Sequence, residues 1–213
     1  TTHPSAINLL DKSNVWFMPN PVDKMFDNLN VYKNKNFKYD LFFAMSHGVH
    51  RGTLKKGKID KREEFINKLT RHGNEIRYNL HGFNNNQPIW SEEFKLKLKT
   101  SKMALNLSQG ESIKFYSSDR IAQLIGNGIL TFVDIKTQLN KILTNKEVVF
   151  FKNHKDLFNK IMILKDNNAL RIKIAKSGMI KYHKFINSKL VAEYIIYKTF
   201  GHTYKKKYLW ENK

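Results

Sequence analysis

Residues 101–134 read SKMALNLSQGESIKFYSSDRIAQLIGNGILTFVD. The run from Lys102 to Leu107 is largely apolar, as a strand buried on both faces requires. A polar loop follows, and a helix is predicted from about Ser118 to Ile125, with Ser117 and Ser118 as natural amino-terminal caps. Gly126-Asn127-Gly128 stops that helix, and Ile129 to Asp134 forms the next strand. Strand, helix and strand within so short a stretch is the repeating unit of a parallel sheet.

The same unit recurs on either side. Upstream, Tyr39 to Ser46 (YDLFFAMS) is a continuous apolar run, followed by the glycine-bearing loop from His47 to Gly52. Asp60 to Arg71 then places Phe65, Ile66 and Leu69 at helical spacing, with Asp60 and Glu63 in capping-box register. Glu75 to His81 is a second strand, ending in Gly82, and Ser91 to Thr100 a second helix. Downstream, Glu147 to Phe151 is a fifth strand, with His154 to Leu164 as its helix. Helical sequence runs on from Ala169 to about Phe200 and gives way to a basic tail, Tyr204 to Tyr208. Ahead of these units, Asn14 to Asp23 reads as a short strand closed by Pro19 and Pro21. The expected fold is α/β, a doubly wound parallel sheet with a helical carboxyl-terminal segment. Residues 1–37 form a connector, 38–168 the nucleotide-fold domain, and 169–213 helices and tail.

Composition narrows the function. The 213 residues carry 38 Lys and Arg against 18 Asp and Glu, a net charge of 38 − 18 = +20. Such a charge invites nucleic acid or an anionic membrane as partner. Yet 32 of the 38 cations are Lys and Asn occurs 23 times, a compositional bias, whereas base edges and phosphate forks favour Arg. No specific nucleic-acid partner is expected. The absence of cysteine excludes a disulfide framework and a thiolate nucleophile, and points weakly to a reducing compartment. No apolar run is long enough to cross a bilayer, so the chain is read as cytoplasmic. It opens on Thr1 rather than Met, as a piece of a longer protein would.

In an open parallel sheet, ligands bind beyond the carboxyl ends of the strands. After the first strand, Gly48, Arg51, Gly52, Lys55, Lys56 and Gly57 combine backbone permissiveness with positive charge, suited to a phosphate, although no dinucleotide or Walker motif is present. After the third, Ser117, Ser118 and Arg120 at a helix start make an anion cradle. The plain alternatives are a glycine-rich surface loop and a capped helix with Asp119 and Arg120 paired. His47, His50 and His81 fall at predicted strand ends. Trp90 reads as a packing residue. No histidine spacing or carboxylate cluster suggests a metal, and no G-x-S-x-G elbow suggests a serine nucleophile.

Together these loops resemble the carboxyl-terminal, donor-binding half of GT-B glycosyltransferases, in particular the group-1-like family that includes spore-maturation-type enzymes. The stretches carrying the resemblance are VWFMPNPVD (15–23), YDLFFAMSHGVHRG (39–52), SKMALNLSQG (101–110) and above all YSSDRIAQLIGNGILTFVD (116–134). The last follows a family pattern of strand, Leu-Asn, polar loop, Ser-x-Arg-x-x-Glu, small residues with Gly, and strand. The family glutamate that holds the ribose aligns with Gln123.

The resemblance implies a Rossmann-like half of a GT-B fold that binds a nucleotide-diphosphate sugar, for transfer to a glycan or lipid-linked acceptor in polysaccharide or lipopolysaccharide assembly. The nucleotide sugar is substrate, with no cofactor and no metal. Gly48, Arg51, Lys56, Ser117, Ser118 and Arg120 are implied at the diphosphate. His47, His81, Gly82, Phe83, Asn106, Ser108 and Gln123 are implied at the nucleoside or sugar. The acceptor site and general base belong to an amino-terminal GT-B domain, for which the 37 leading residues are too few. The 11 − 2 = +9 net charge of residues 169–213 suits peripheral contact with an anionic membrane. Two other readings stay open: a basic nucleic-acid or membrane-surface module, and a non-catalytic glycosyltransferase relative, which Gln123 motivates.

Overall fold

The computed structural model describes residues 15–45, 53–54, 58–59, 61–83, 86–108, 112–201 and 207–211. Five parallel strands form one sheet: β1 (Tyr39–Ala44), β4 (Tyr78–His81), β5 (Ser101–Asn106), β6 (Leu130–Asp134) and β7 (Val149–Phe151), in the order β4-β1-β5-β6-β7. Between β1 and the first helix lies a two-stranded antiparallel ribbon, β2 (Thr53–Leu54) and β3 (Lys58–Ile59), where only a loop was expected. The helices are α1 (Lys61–Thr70), α2 (Ser91–Lys99), α3 (Asp119–Gly126), α4 (His154–Asp166), α5 (Asn168–Phe185) and α6 (Ser188–Phe200).

The apolar strand sequences serve two faces at once. Leu41, Phe43 and Met45 pack with Ile66 and Leu69 of α1 and Leu157 and Ile161 of α4. Their alternates, Phe42 and Ala44, pack with Leu98 of α2 and Leu124 of α3. That period-2 division is why β1 lacks a polar face: helices cover the sheet on both sides, so neither set of side chains meets water. The Phe42 ring meets Phe94 of α2 edge to face, 5.2 Å between centroids.

One expectation is corrected. Residues 14–23 form no strand among the described residues. Val22 makes a single parallel bridge instead, donating from its amide to the Ile186 carbonyl and accepting from the Ser188 amide at its own. The helices expected after Ala169 are two, α5 and α6. Asn187 separates them: its side-chain amide donates to the His183 carbonyl at the end of α5, and its Oδ1 accepts from the Leu190 amide at the start of α6. After Gly201, in left-handed backbone at φ 65°, the chain returns so that Tyr208 and Trp210 are buried against Tyr194, with centroids 5.0 and 5.5 Å away.

Candidate functional site

Strand order reverses between β1 and β5, and a crevice at the carboxyl ends of these strands is where an open sheet holds its ligand. A cleft of about 440 Å³ opens there. Its floor is Ala44 and Met45 at the end of β1. One wall is the start of α2, with Trp90, Ser91 and Phe94, and the other is the first turn of α3, with Asp119, Arg120 and Gln123. Phe26, Asp27 and Asn127 close the rim.

The start of α3 is organised from below. Ser118 caps the helix, its hydroxyl oxygen accepting from the Ile121 amide and its proton directed at Asn106 Oδ1, 3.2 Å away. Asn106 is buried at the end of β5, and among the described residues its Nδ2 has no hydrogen-bond partner; neither has Oγ of Ser108, two residues on. Buried polar groups of this kind are ordinarily satisfied by protein or by water, so these two atoms are candidate contacts for a bound molecule. Arg120 spans the crevice: its guanidinium donates to the Leu107 carbonyl at 2.8 Å and lies over the Phe43 ring, 5.4 Å from the centroid. A cation, a capped helix start and unpaired donors make this end of the sheet receptive to negative charge.

The residues singled out in the sequence separate into groups. Arg120 and Gln123 line the cleft, Gln123 exposed, while Ser118, Asn106 and Ser108 lie beneath α3. Ser117 is buried beside them but engaged from the other side: its hydroxyl oxygen accepts from the Asn20 amide at 3.1 Å and its carbonyl from Asn20 Nδ2 at 2.9 Å. His81, Gly82 and Phe83 are outside the cleft lining. Phe83 is buried in the α1 and α4 layer, and Gly82 takes φ 75° in the turn after β4. His81 holds Asn79 Oδ1 with Nε2 at 2.8 Å, and burial, then the nearby Lys97 charge, lowers its pKa below the usual histidine value. His47, Gly48, Arg51 and Lys56 lie outside the described residues, as do His50 and Asp60.

The cleft also contains residues that local sequence reading passed over. Trp90, expected to pack, is 61% exposed at the mouth, and Phe26 is 64% exposed on the rim. Asp27 is buried; its carboxylate accepts from the Asp23 amide and from Asn127 Nδ2, and burial raises its pKa above the ordinary value. The one available signal for Trp90 was its place between a strand end and a helix start. For Phe26 and Asp27 no local signal existed, since Asn127 is 100 residues away. Among the described residues, no three His, Asp or Glu side chains converge as a metal cage would require.

The profile of the family described as glycosyl transferase-like matches residues 60–196. The chain belongs to that glycosyl transferase-like family. Solved structures share the fold of this glycosyl transferase-like chain. The structure titled "Crystal Structure of TarM" superimposes with a TM-score of 0.55 at 10% identity, over 86% of this chain and 37% of that one. Sucrose-phosphate synthase (tll1590) from Thermosynechococcus elongatus gives a TM-score of 0.53 at 11% identity, over 86% of this chain and 50% of that one. The C-terminal domain of the glycosyl transferase group 1 family protein LpcC from Francisella tularensis matches at 15% identity and TM-score 0.47, over 79% of this chain and 96% of that one. The chain thus spans half or less of the first two neighbours. No functionally curated protein matches the sequence. Among the described residues no helix is long and apolar enough to cross a membrane.

Proposed function

We propose that residues 38–168 are the donor-binding domain of a glycosyltransferase and hold a nucleoside-diphosphate sugar at the carboxyl ends of β1 and β5, with residues 169–213 as a helical flank. The observation that carries this reading is the pair of buried, unpartnered polar groups, Asn106 Nδ2 and Ser108 Oγ, under the capped start of α3. Both are donors, as are the first amides of the helix and Arg120. A diphosphate supplies acceptors only. Gly48, Arg51 and Lys56, which follow β1 in the sequence, are assigned to the diphosphate in the same proposal, and Gln123 on the cleft wall to the ribose hydroxyls.

In the transfer, the bond between the anomeric carbon and the diphosphate oxygen breaks and its electron pair leaves with the nucleoside diphosphate. The acceptor hydroxyl oxygen bonds to that carbon and gives its proton to a base on an amino-terminal partner domain. Negative charge grows on the diphosphate, and fixed cations and helix-end amides are worth most there because they need no reorganisation. This assignment uses side chains and backbone alone, without metal or cofactor. Ile195, Ile196 and Phe200 stand exposed on α6, a face suited to that partner domain. The acceptor is a glycan or lipid-linked saccharide of polysaccharide or lipopolysaccharide assembly, as in spore-maturation-type enzymes, reached by peripheral contact of the basic flank with the membrane.

A thermal-shift panel of UDP, GDP, ADP, CMP and dTDP sugars tests the core of this reading. At least one donor at millimolar concentration should raise the melting temperature, and Arg120→Ala should abolish the rise. A flat response to every donor would sink it.

A further inference from the structure

The amino ends of the strands carry a second cleft, of about 650 Å³, lined by Lys35, Lys38, Arg77, Lys99 and Lys102. Because every strand is parallel, this site lies at the opposite end of the sheet from the α3 cleft, about 15–20 Å away along β1. The two sites share no lining residue.

Its charge is unbalanced. The carboxylate beneath it, Asp40, is already held by Arg77 through two side-chain bonds of 2.9 and 3.0 Å and by Lys102 at 3.2 Å. Five cations against one carboxylate leave 5 − 1 = +4. Lys35, Lys38 and Lys99 make no ion pair among the described residues. Asp166, the nearest acid in sequence to the α5 side of the cleft, is exposed and likewise unpaired there.

Behind the wall sits a sixth cation. Arg171 is only 2% exposed and, among the described residues, has no carboxylate partner; its Nε is buried without an acceptor there. Its remaining partners are Asn168 Oδ1, at 3.2 Å, and the Phe37 ring, 4.8 Å from the guanidinium, and both residues line the cleft. A buried, unpaired cation is costly unless negative charge arrives close by. The helix that bears Arg171, α5, opens at the same cleft with no acid in its first turn. The carbonyl end of α2 also faces this side, but Lys97 and Lys99 in its last turn offset it.

We propose that this cleft binds a small soluble anion carrying two or more phosphate groups. Each phosphate monoester brings about −1.5 to −2 at neutral pH, so two match the +4 of the lining. A nucleic-acid strand fits less well. The Phe37 face that would stack a base is occupied by Arg171, and the one arginine of the lining is committed to Asp40.

Calorimetric titration with inorganic tripolyphosphate in about 0.1 M salt, where weak surface pairs are screened, tests the site. In the Arg120→Ala protein, whose diphosphate cradle at the α3 cleft is removed, one saturable site is expected. Lys35→Glu/Lys38→Glu/Lys99→Glu should weaken it about tenfold or more, the loss of at least one charge-assisted bond. Lys136→Glu/Lys184→Glu/Lys189→Glu, which changes net charge equally after β6 and around the α5–α6 junction, should leave it within about twofold, since those residues lie about 15 Å or more from the cleft along the strand and helix axes, beyond a Debye length. All six lysines are exposed, and unchanged melting temperatures confirm folding. Equal weakening by both triples, or no saturation, overturns the proposal. So does tighter, Lys35/Lys38/Lys99-dependent binding of a single-stranded RNA, or of vesicles bearing a bisphosphorylated headgroup when free tripolyphosphate does not bind.

Discussion

Ser118 Oγ sits 3.2 Å from Asn106 Oδ1, so the residue that caps α3 is hydrogen-bonded to the last residue of β5. The contact fixes the helix start at the mouth of the sheet. It also occupies the Asn106 oxygen and leaves Nδ2 as the unpartnered donor. Removing it in Ser118→Ala deletes a cap and a strand contact together. Loss of a cap of this type costs about 1 kcal/mol, a fall in melting temperature of roughly 2–4 °C for a chain of this size. Ser118→Thr should restore most of it. Thermal denaturation checks this; an alanine variant as stable as wild type would mean the cap carries no weight.

Gln123 lies exposed on the cleft wall, one turn into α3. A carboxylate there should accept ribose hydroxyls more strongly than the amide does. Gln123→Glu is expected to tighten the best-stabilising nucleotide sugar by roughly three- to tenfold, the difference between neutral and charged hydrogen bonds. Titration of both proteins gives the answer, and an identical dissociation constant places Gln123 away from the ribose.

Gly178 of α5 faces the backbone carbonyl of Glu147, and a Cβ at this position would collide with that oxygen. The Glu147 side chain is itself anchored by the Thr144 amide and hydroxyl, and by Lys181 at 3.2 Å, so the turn before β7 has little room to retreat. Gly178→Ala should therefore destabilise by about 1–3 kcal/mol despite alanine's better helix propensity. A urea midpoint equal to wild type would show that the turn yields freely.

Burial pushes the Asp40 carboxyl upward, but hydrogen bonds from the Arg77 side chain and backbone and from Lys102 outweigh it and hold the pKa down at about 2. The unfolded chain protonates near the ordinary value of about 4. The stabilisation is thus complete above about pH 4 and lost as pH falls through about 2. Asp40→Asn should lower stability at pH 7, toward the lower end of the roughly 3–5 kcal/mol seen when one partner of a buried pair is removed, because Arg77 is half-exposed. It should also flatten the acid limb. Urea midpoints at neutral pH, about 4 and about 2.5 measure both, and parallel acid limbs for the two proteins would contradict the assignment.

The alternation of strands and helices was legible in the sequence, because the periods that reveal them are local. The apolar run 39–44, the capped start at Ser118 and the stop at Gly126–Gly128 each act within a few residues, and each is found in place. The pairing of Arg120 and Gln123 with a strand end followed from the same logic: loops after parallel strands share one edge. The remaining cleft walls, with Phe26, Asp27 and Trp90, did not follow. Asn20 reaches Ser117 across 97 residues and Asp27 reaches Asn127 across 100, and nothing in either local pattern refers to the other. Asn187 illustrates the same limit at the carboxyl end, where continuous helical propensity was divided by a bridge to Val22. By itself the sequence determined which segments are strands and helices and on which edge of the sheet charge and caps gather. Only the tertiary structure decided which distant side chains meet around the two clefts and which buried polar groups, Asn106, Ser108 and Arg171, are left with unpartnered atoms, because those outcomes depend on packing across the whole chain rather than on any neighbour in it.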